Sequence, residues 1–239
     1  MRLFIGQDRR EADAYDVAAR SARKFGCAPE PLDESRLRRA GLLTRPVDNR
    51  GQAWDFVSGA PQSTDFANSR FFVPLLAHSG LAMFVDCDVL FMEDPRELIA
   101  GLEPGRAVYC VQHPPFASVA ELVAAPQQGG APTKMDGQQQ TVYPRKLWSS
   151  VMIFDCDHPA NARLNLTTLN AWPGRDLHAF RWLADSELGA LPPEANWLVG
   201  LQARPDRPII AHYTLGTPNM PGLEACDYAD LWMDARSDR

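Results

Sequence analysis

The chain has 239 residues, of which 45% are hydrophobic and 9% are aromatic, and its formal net charge at pH 7 is −6. This length predicts one large domain, or one domain with an appendage, and the apolar content is sufficient for a proper core. The negative charge argues against nucleic acid as the main partner, because no basic excess is available to bind phosphates. The sequence contains no run of about 18 apolar residues, so no transmembrane segment is predicted.

Cysteine usage and the first residues both predict a cytoplasmic protein. The five cysteines are widely spaced and form no Cys-x-x-Cys pair. An odd number of isolated cysteines is typical of free thiols in a reducing compartment, and a structural zinc site is not expected. The apolar stretch at 1–6 is too short for a signal peptide, and polar residues follow it at once.

The first elements predict an α/β fold. A strand at 2–6 leads into a polar turn at 6–10, and a helix at 11–25 ends at Gly26. Strand, turn and helix in this order are typical of α/β proteins. Ligands of such folds bind at the carboxyl ends of the strands, which places the turn beside a potential ligand. The alternative is a solvated turn that only caps the helix.

The next segment carries one charge in an apolar setting. A short strand is predicted at 29–32, followed by irregular loops with a short helix at 33–61. A second helix begins at 63–65, where three good capping residues occur, and continues with an apolar face up to Gly80. Arg70 lies within this apolar face, so we expect its guanidinium either to reach the surface or to pair with an anion.

The stretch at 81–94 is the main functional signal. An apolar strand at 81–85 is followed by Asp86-Cys87-Asp88. Side chains two residues apart on a strand point to the same face, so the two carboxylates repel each other unless a cation lies between them. Mg²⁺ and Mn²⁺ prefer oxygen ligands, and the pair therefore predicts a divalent metal site.

A second Asp-Cys-Asp, at 155–157, is a rival metal site. It follows a predicted strand at 146–155, and a helix that contains Leu164 begins shortly after it. Either aspartate can be explained as a cap of that helix. The first tripeptide is followed by strand-like chain at 89–91, which offers no helix to cap. The sequence therefore favours the first tripeptide.

The rest of the chain is predicted to form short elements with no internal repeat. A strand at 107–111 precedes a long loop at 114–144, in which a weak helix occupies 117–125. The remaining predictions are a helix at 176–185, an extended segment at 191–197, a last strand at 208–213 with His212 at its end, and a tail at 219–239 that packs on the body and frays beyond Asp234.

These motifs now stand in one order, which resembles a known family. In chain order they are Arg70, the tripeptide at 86–88, Ser149-Ser150-Val151, the segment at 191–197, His212 and Gly216. This order resembles a GT-A-fold glycosyltransferase and is most similar to family 8, the group that contains glycogenin and bacterial galactosyltransferases. The resemblance runs from residue 2 to about residue 218. It implies one Rossmann-like domain, 1–239, with a central mixed sheet flanked by helices.

The resemblance also implies roles for individual residues. Asp86, Asp88 and His212 would coordinate Mn²⁺, or Mg²⁺, which holds the diphosphate of a nucleotide-sugar, and Arg70 would contact the donor. From the residues alone, His212 can equally be a strand-end histidine bonded to a carbonyl, and Arg70 can form a structural salt bridge. The other donor-binding positions implied by the resemblance are Gly6, Gln7, Asp8 and Arg9 at the nucleobase, together with Cys87, Ser149, Ser150 and Gly216.

Three departures from the family pattern predict a divergent member. Ser149-Ser150-Val151 stands where family 8 usually has Asn-Ala-Gly, and the segment at 176–178, Asp-Leu-His, where it has Asp-Gln-Asp. The diphosphate-binding lysine that usually follows the late glycine is missing after Gly216. The candidates to replace that lysine are Lys134, Arg145 and Lys146.

The expected function is a metal-dependent, retaining hexosyltransferase that uses a UDP-sugar. Its acceptor is a glycan, a lipid-linked sugar or a protein. Asp155 and Asp176 are the candidate catalytic carboxylates on the acceptor side, although the family does not require a well-placed enzymic nucleophile.

Three alternatives remain open. A sugar-1-phosphate nucleotidyltransferase would have a glycine-rich loop after the first strand, and this chain has one glycine there, Gly6. A phosphohydrolase that uses Asp86 or Asp88 as nucleophile would place the pair after the first strand with a threonine nearby. A degenerate fold that binds a nucleotide-sugar without catalysis is the non-enzymatic alternative.

Overall fold

A computed structural model describes residues 1–113 and 145–237. Its strands are β1 (Arg2–Gln7), β2 (Pro29–Asp33), β3 (Val47–Asp48), β4 (Trp54–Asp55), β5 (Ala60–Pro61), β6 (Leu81–Val85), β7 (Val89–Phe91), β8 (Val108–Cys110), β9 (Val151–Asp155), β10 (Leu188–Ala190), β11 (Trp197–Leu198) and β12 (Ile210–His212). Its α-helices are α1 (Ala12–Lys24), α2 (Glu34–Arg39), α3 (Val73–Ala77), α4 (Leu166–Ala171), α5 (Gly174–His178) and α6 (Ala229–Ser237). Short 3₁₀ helices occupy Ser69–Phe72, Pro95–Gly101, Trp148–Ser150, Pro159–Arg163, Asp185–Glu187 and Pro193–Asn196.

The central sheet has six strands in the order β10-β8-β9-β6-β1-β2. β1 is parallel to β2 and β6, and β8 is parallel to β10, whereas β9 is antiparallel to both of its neighbours. Apolar residues fill β6 and β9, which are buried along almost their whole length, as expected for strands covered on both faces. The predicted α/β class with a central mixed sheet is confirmed.

A second sheet, in the order β11-β12-β7, extends the strand that follows the first tripeptide. β12 runs antiparallel to β7, so that His212 lies opposite Val89. The backbone N–H of Tyr213 donates to the carbonyl oxygen of Asp88 over 2.8 Å. This pairing brings the end of β12 beside the first tripeptide.

The weakly patterned segment at 33–61 forms the predicted short helix and an unpredicted small sheet. The helix is α2, capped by Asp33, whose carboxylate accepts the backbone N–H of Ser35. β3, β4 and β5 pair antiparallel in a three-stranded sheet. Each of these strands has only two residues. Strands of two residues are too short to produce a readable alternation of apolar and polar side chains.

Two predicted helices are shorter in the structure. In place of one helix from 63–65 to Gly80, the chain forms a 3₁₀ turn and then α3, which ends at Ala77 before His78, whose φ is +67°. The helix predicted at 176–185 is α5, which ends at His178, and Phe180 has φ +57°. A left-handed residue cannot continue an α-helix, so tertiary packing ends both helices early.

The C-terminal tail packs on the body, as predicted, and does so as a helix. Trp232 of α6 is fully buried in a cluster with Val17 of α1 and Trp197. Arg20 donates to the carbonyl oxygens of Ala235 and Arg236 near the carboxyl end of α6. The helix continues to Ser237, so the prediction of fraying beyond Asp234 is wrong over these residues.

The structure tests some of the remaining predictions and leaves others as predictions. All five cysteines are free, as predicted. Within the described residues, no helix has both the length and the hydropathy needed to cross a membrane. The loop predicted at 114–144 and the weak helix at 117–125 lie outside the described residues. The single-domain organisation of 1–239 and the cytoplasmic location stay predictions.

Candidate metal centre and adjoining cleft

Asp86, Asp88 and His212 form one buried cluster. Asp86 follows β6, Asp88 precedes β7, and His212 is the last residue of β12. One potential ligand atom from each residue lies within 4.8 Å of the others, and His212 Nε2 is 3.3 Å from Asp88 Oδ1. The pairing of β12 with β7 causes this convergence, because it places His212 at the carboxyl end of β6 although it is distant in sequence.

The cluster fits a hard divalent cation. The exposed fractions of Asp86, Asp88 and His212 are 6%, 0% and 1%. Two ionised carboxylates at this depth are costly without positive charge, and carboxylate oxygens with one imidazole are a suitable ligand set for Mn²⁺ or Mg²⁺. His212 does bond a carbonyl oxygen, that of the Asn196 side chain, but it uses Nδ1. Its Nε2 atom is buried and takes no hydrogen bond from the described part of the chain.

Arg70 supplies one positive charge next to the cluster. Its Nη1 atom is 2.8 Å from Asp86 Oδ1 and donates to the carbonyl oxygen of Ser149 over 2.8 Å. The guanidinium also lies over the rings of Phe66 and Phe84, at 5.2 and 5.0 Å from the ring centroids. Arg70 therefore forms the structural salt bridge that was the alternative interpretation. Arg70 therefore offsets part of the negative charge of the two buried carboxylates.

A cleft with a volume of ≈ 270 Å³ adjoins the cluster, and Asp86 belongs to both. Residues from the small sheet, the segment before α3, the amino end of β9 and α5 form its walls. The lining residues are Asp55, 58–64, Ala67, Asn68, Arg70, Asp86, Lys146, Leu147, Ser149, Ser150, Gly174, Arg175, His178 and Thr214. The cleft thus lies at the carboxyl end of β6, where α/β folds bind their ligands.

Two neighbouring serines of the cleft, Ser149 and Ser150, have different hydrogen-bond partners. Ser149 Oγ is 2.7 Å from Nδ1 of His178, which lies on α5. Ser150 Oγ donates to the carbonyl oxygen of Leu147 and accepts from Nδ2 of Asn196. Burial, and then the positive charge of Arg70, hold the pKa of His178 well below its ordinary value. His178 is therefore neutral at pH 7.

Sequence reasoning missed four polar residues of this region as functional candidates: His113, Arg175, His178 and Asn196. Asn196 was noted only as part of the resemblance, and it contacts both His212 and His113. Burial, and then the neighbouring imidazole of His212, lower the pKa of His113 to about 4. No local pattern marks these residues, because their partners lie far away along the chain.

The polar turn after β1 reaches the cleft only indirectly. A Cβ on Gly6 would lie 2.5 Å from the ring of Phe66, so glycine permits this close packing. Asp8 is fully buried, pairs with Arg10 and accepts the backbone N–H of Asp65. Gln7 ends β1, and the exposed Arg9 pairs with Asp65, which follows the lining segment 58–64.

The same contacts set the ionisation of Asp8. Its burial by itself raises the pKa of the carboxyl, but hydrogen bonds from the side chain and backbone of Arg10 and from the backbone of Asp65 outweigh it. The net pKa of Asp8 is below its ordinary value, so the carboxylate stays ionised and holds the wall of the cleft.

Cys87 and Gly216 also lie beside the site without lining the cleft. Cys87 Sγ donates to Glu11 Oε2 over 2.9 Å in a buried contact. Gly216, with φ +134°, closes a turn in which its N–H donates to the carbonyl oxygen of Tyr213. Thr214, from the same turn, does line the cleft.

The structure does not bring Asp155 or Asp176 to the site, which corrects their assignment as catalytic candidates. β9 is antiparallel to β6, so Asp155 pairs with Leu81 at the amino end of β6, and Asp86 follows the opposite end. Asp176 lies on α5 but pairs with Arg181 over 3.0 Å and does not line the cleft.

The capping explanation of the second tripeptide is also corrected. His158 caps the 3₁₀ helix that follows, and Asn165 caps α4. Asp157 instead accepts the backbone N–H of Gly80, and Asp155 accepts the N–H of Asp157. The second tripeptide therefore closes one local turn, binds the backbone of the distant Gly80 and caps neither helix.

The three cations suggested as a replacement lysine are placed differently. Lys146 lines the cleft. Arg145 is 2.5 Å from Asp185 and donates to the carbonyl oxygen of Ala179, and it does not line the cleft. Lys134 lies outside the described residues. Among the described candidates, Lys146 is therefore the cation that faces this site.

Sequence comparison identifies a relative over almost the whole chain, whereas no family model matches. The chain is 39% identical over 242 residues to a protein of Arabidopsis thaliana, Protein CDI, covering 98% of this chain and 85% of that protein.

Solved structures show the fold. The bifunctional glycosyltransferase WbbM matches with a TM-score of 0.59 and 14% identity over 100% of this chain and 50% of that one. The glycosyltransferase GlyE of Streptococcus pneumoniae matches with a TM-score of 0.56 and 10% identity, over 98% of this chain and 60% of that one. The galactosyltransferase LgtC, solved with donor and acceptor sugar analogs, matches with a TM-score of 0.55 and 11% identity, over 99% of this chain and 95% of that one. The chain thus spans about half of WbbM and three fifths of GlyE. The fold is that of GT-A glycosyltransferases.

Proposed function

This chain belongs to the family of Protein CDI from Arabidopsis thaliana, and we propose, on the basis of the fold of the chain, that it is a metal-dependent glycosyltransferase. It moves a hexosyl group from a UDP-sugar to a glycan, lipid-linked sugar or protein acceptor, as a divergent member of family 8. The observation that carries the proposal is the shared position of Asp86, which belongs both to the cluster with Asp88 and His212 and to the cleft.

Asp86, Asp88 and His212 would hold Mn²⁺ or Mg²⁺. When bound, the cation supplies positive charge against the diphosphate, which becomes more negative as the sugar leaves. Arg70 orients Asp86 through their ion pair.

Lys146 is our candidate for the missing diphosphate-binding lysine. It lines the cleft with Asp86, on the wall that leads into β9. An ammonium group at this position would contact a phosphate oxygen as a point charge. The donor sugar would then lie against Ser149 and His178, whose side chains form the adjoining part of the wall.

We propose that the configuration at the anomeric carbon is retained without a carboxylate nucleophile. Among the described residues that line the cleft, the carboxylates are Asp55 and Asp86. Asp55 is buried in an ion pair with Arg45, and Asp86 pairs with Arg70. A carboxylate held by a guanidinium is a weak nucleophile, because the charge that would attack is already stabilised.

Calorimetry with UDP, GDP, ADP and CDP, each with and without Mn²⁺, tests the proposal. We expect UDP to bind only when Mn²⁺ is present. Mass spectrometry of slow donor hydrolysis across several UDP-sugars then identifies the sugar without an acceptor. If no nucleotide binds under either condition, the transferase proposal fails. Binding without hydrolysis or transfer would favour the non-catalytic alternative. Cleavage of the UDP-sugar by added pyrophosphate, which gives UTP and the sugar 1-phosphate, would favour a nucleotidyltransferase.

A further inference from the structure

A chain of buried hydrogen bonds ends on the imidazole of the metal cluster. Ser150 Oγ lies 2.6 Å from the carbonyl oxygen of Leu147 and 2.9 Å from Asn196 Nδ2. The side-chain oxygen of the same asparagine, Asn196 Oδ1, lies 2.9 Å from Nδ1 of His212. Ser150, Asn196 and His212 are buried, with exposed fractions of 2%, 0% and 1%. Water therefore does not compete for these bonds.

The available hydrogens determine which atom donates in each of these hydrogen bonds. The carbonyl oxygen of Leu147 only accepts, so Ser150 must donate its single hydroxyl hydrogen there. Ser150 Oγ can then only accept from Asn196, which requires the NH₂ group of the amide on that side. Asn196 Oδ1 consequently faces His212 and accepts from it, so the hydrogen is on Nδ1 of His212.

His113 supports the same orientation of the amide. Asn196 Nδ2 is 2.9 Å from Nε2 of His113, which is 3% exposed. Burial lowers the pKa of His113 to about 4, so its ring is neutral at pH 7 and one nitrogen carries a lone pair. The NH₂ group can thus donate to both Ser150 and His113, whereas a reversed amide would face Ser150 Oγ with a second acceptor.

We propose that Asn196, oriented by Ser150, is a positioning residue that holds His212 in the Nδ1–H tautomer and leaves the Nε2 lone pair for the metal. This inference rests on the proposed metal site. A neutral imidazole in this tautomer directs its Nε2 lone pair at Asp88 Oδ1, 3.3 Å away. Two lone pairs at that distance repel each other, and a cation held by His212 and Asp88 would offset this repulsion.

Nitrogen NMR of the histidine rings in the metal-free protein tests the tautomer directly. We expect His212 to show a protonated Nδ1 and an unprotonated Nε2 at pH 7. In Asn196→Leu, which keeps the branched shape but removes the acceptor, the proton should move partly or wholly to Nε2, facing Asp88. Ser150→Ala provides a second variant, because it removes the group that orients the amide. A wild-type ring protonated on Nε2 alone, or on both nitrogens, would overturn the proposal.

Binding of Mn²⁺ alone, measured by calorimetry, tests the consequence for the metal. Loss of a residue that orients a ligand typically weakens metal binding by about 10- to 100-fold. We expect this loss in Asn196→Leu, and less than a threefold change in Asn196→Asp, which keeps an acceptor opposite Nδ1. Equal affinities for the Leu and Asp variants would contradict a positioning role.

The control is Asn161→Leu. Asn161 is also buried, with 4% exposure, but it donates to the carbonyl oxygens of Ala107 and Asp155 at the other end of β9. The Asn161→Leu variant should leave the His212 tautomer and the Mn²⁺ affinity unchanged. A loss of Mn²⁺ affinity equal to that of Asn196→Leu would assign the effect to general destabilisation and overturn the proposal. Failure of the unaltered protein to bind Mn²⁺ would instead sink the proposed function, and the NMR result remains an independent measurement.

Discussion

Two Asp-Cys-Asp tripeptides, at 86–88 and 155–157, each follow a buried strand of the central sheet. Their strands, β6 and β9, pair directly with each other and run antiparallel. The two tripeptides therefore lie at opposite ends of the same strand pair. The same three residues, on neighbouring strands, meet entirely different surroundings.

The surroundings decide the chemistry. In the first tripeptide both aspartates are buried, Asp86 pairs with Arg70, and Asp88 faces His212. In the second, Asp155 is partly exposed and accepts the N–H of Asp157 in a local turn, and the exposed Asp157 accepts the N–H of Gly80. The comparison teaches that two carboxylates spaced by one residue become a metal candidate only when tertiary contacts add a third ligand and exclude water.

Removal of the positive charge at the first tripeptide should give the largest effect. Arg70→Met leaves the buried carboxylate of Asp86 without its ion-pair partner, and breaking a buried pair in this way costs about 3–5 kcal/mol of the free energy of unfolding. Urea unfolding measures the loss, and added Mn²⁺ should restore part of it by binding the folded state.

The surface pair of Arg2 and Glu30 supplies the control for Arg70→Met. Arg2 lies at the amino end of β1, at the end of the sheet opposite the first tripeptide. Both side chains of its ion pair are about 40% exposed. Arg2→Met should cost at most about 1 kcal/mol, because water already screens this pair. Equal losses for Arg2→Met and Arg70→Met would show that burial of the first tripeptide does not matter.

A matched pair of carboxylate variants should separate the two tripeptides by function. Asp88→Asn should weaken Mn²⁺-dependent UDP binding at least about 100-fold, or about 2.7 kcal/mol, because an amide is a poorer ligand than a carboxylate. Asp155→Asn makes the same chemical change at the other edge and keeps an oxygen for the N–H of Asp157, so binding should stay within about twofold. The reverse result would mean that the second tripeptide holds the metal.

Acid should destabilise the protein through histidines near the first tripeptide. The folded pKa of His113 is about 4, below its ordinary value of 6.5, so the unfolded chain binds more protons between these values. Stability therefore falls as the pH decreases through this window, by about 1.5 kcal/mol between pH 6.5 and 5 for His113 alone. The buried His178 contributes in the same direction.

Urea unfolding at pH 7, 6 and 5 checks this prediction. His113→Gln should reduce the dependence of stability on pH. His158 follows the second tripeptide and caps a 3₁₀ helix, and His158→Asn keeps that capping function. If both variants show the same pH dependence, the buried histidines are not responsible for it.

The sequence predicted most strands of the central sheet because they carry their own apolar pattern, but it missed β10 and began β9 at residue 146 instead of Val151. β1, β2, β6 and the helix α1 lie within a residue or two of their predicted ranges. The same local reasoning failed where packing ends an element early, as at His78 and Phe180, which both have positive φ. It also failed for β3, β4 and β5, whose two-residue strands carry no pattern.

For the candidate site, local sequence was sufficient to nominate ligands but not to place them. Asp86 and Asp88 stand out because a buried strand ends in two carboxylates on one face. His212 was assigned through the order of motifs, and the structure brings it to the pair. The assignments of Asp155 and Asp176 failed, because the direction of β9 and the exposed face of α5 are not encoded in neighbouring residues.

By itself, the sequence determined the α/β class, the strand that ends in Asp86 and Asp88, and the arginine that precedes it. Only the tertiary structure decided which Asp-Cys-Asp lies in the cluster, which cations reach the cleft, and how Asn196 connects Ser150 to His212. The physical reason is the distance along the chain over which each kind of interaction acts. Periodicity and capping act over a few residues, whereas strand direction, sheet order and buried hydrogen bonds join residues that are far apart along the chain.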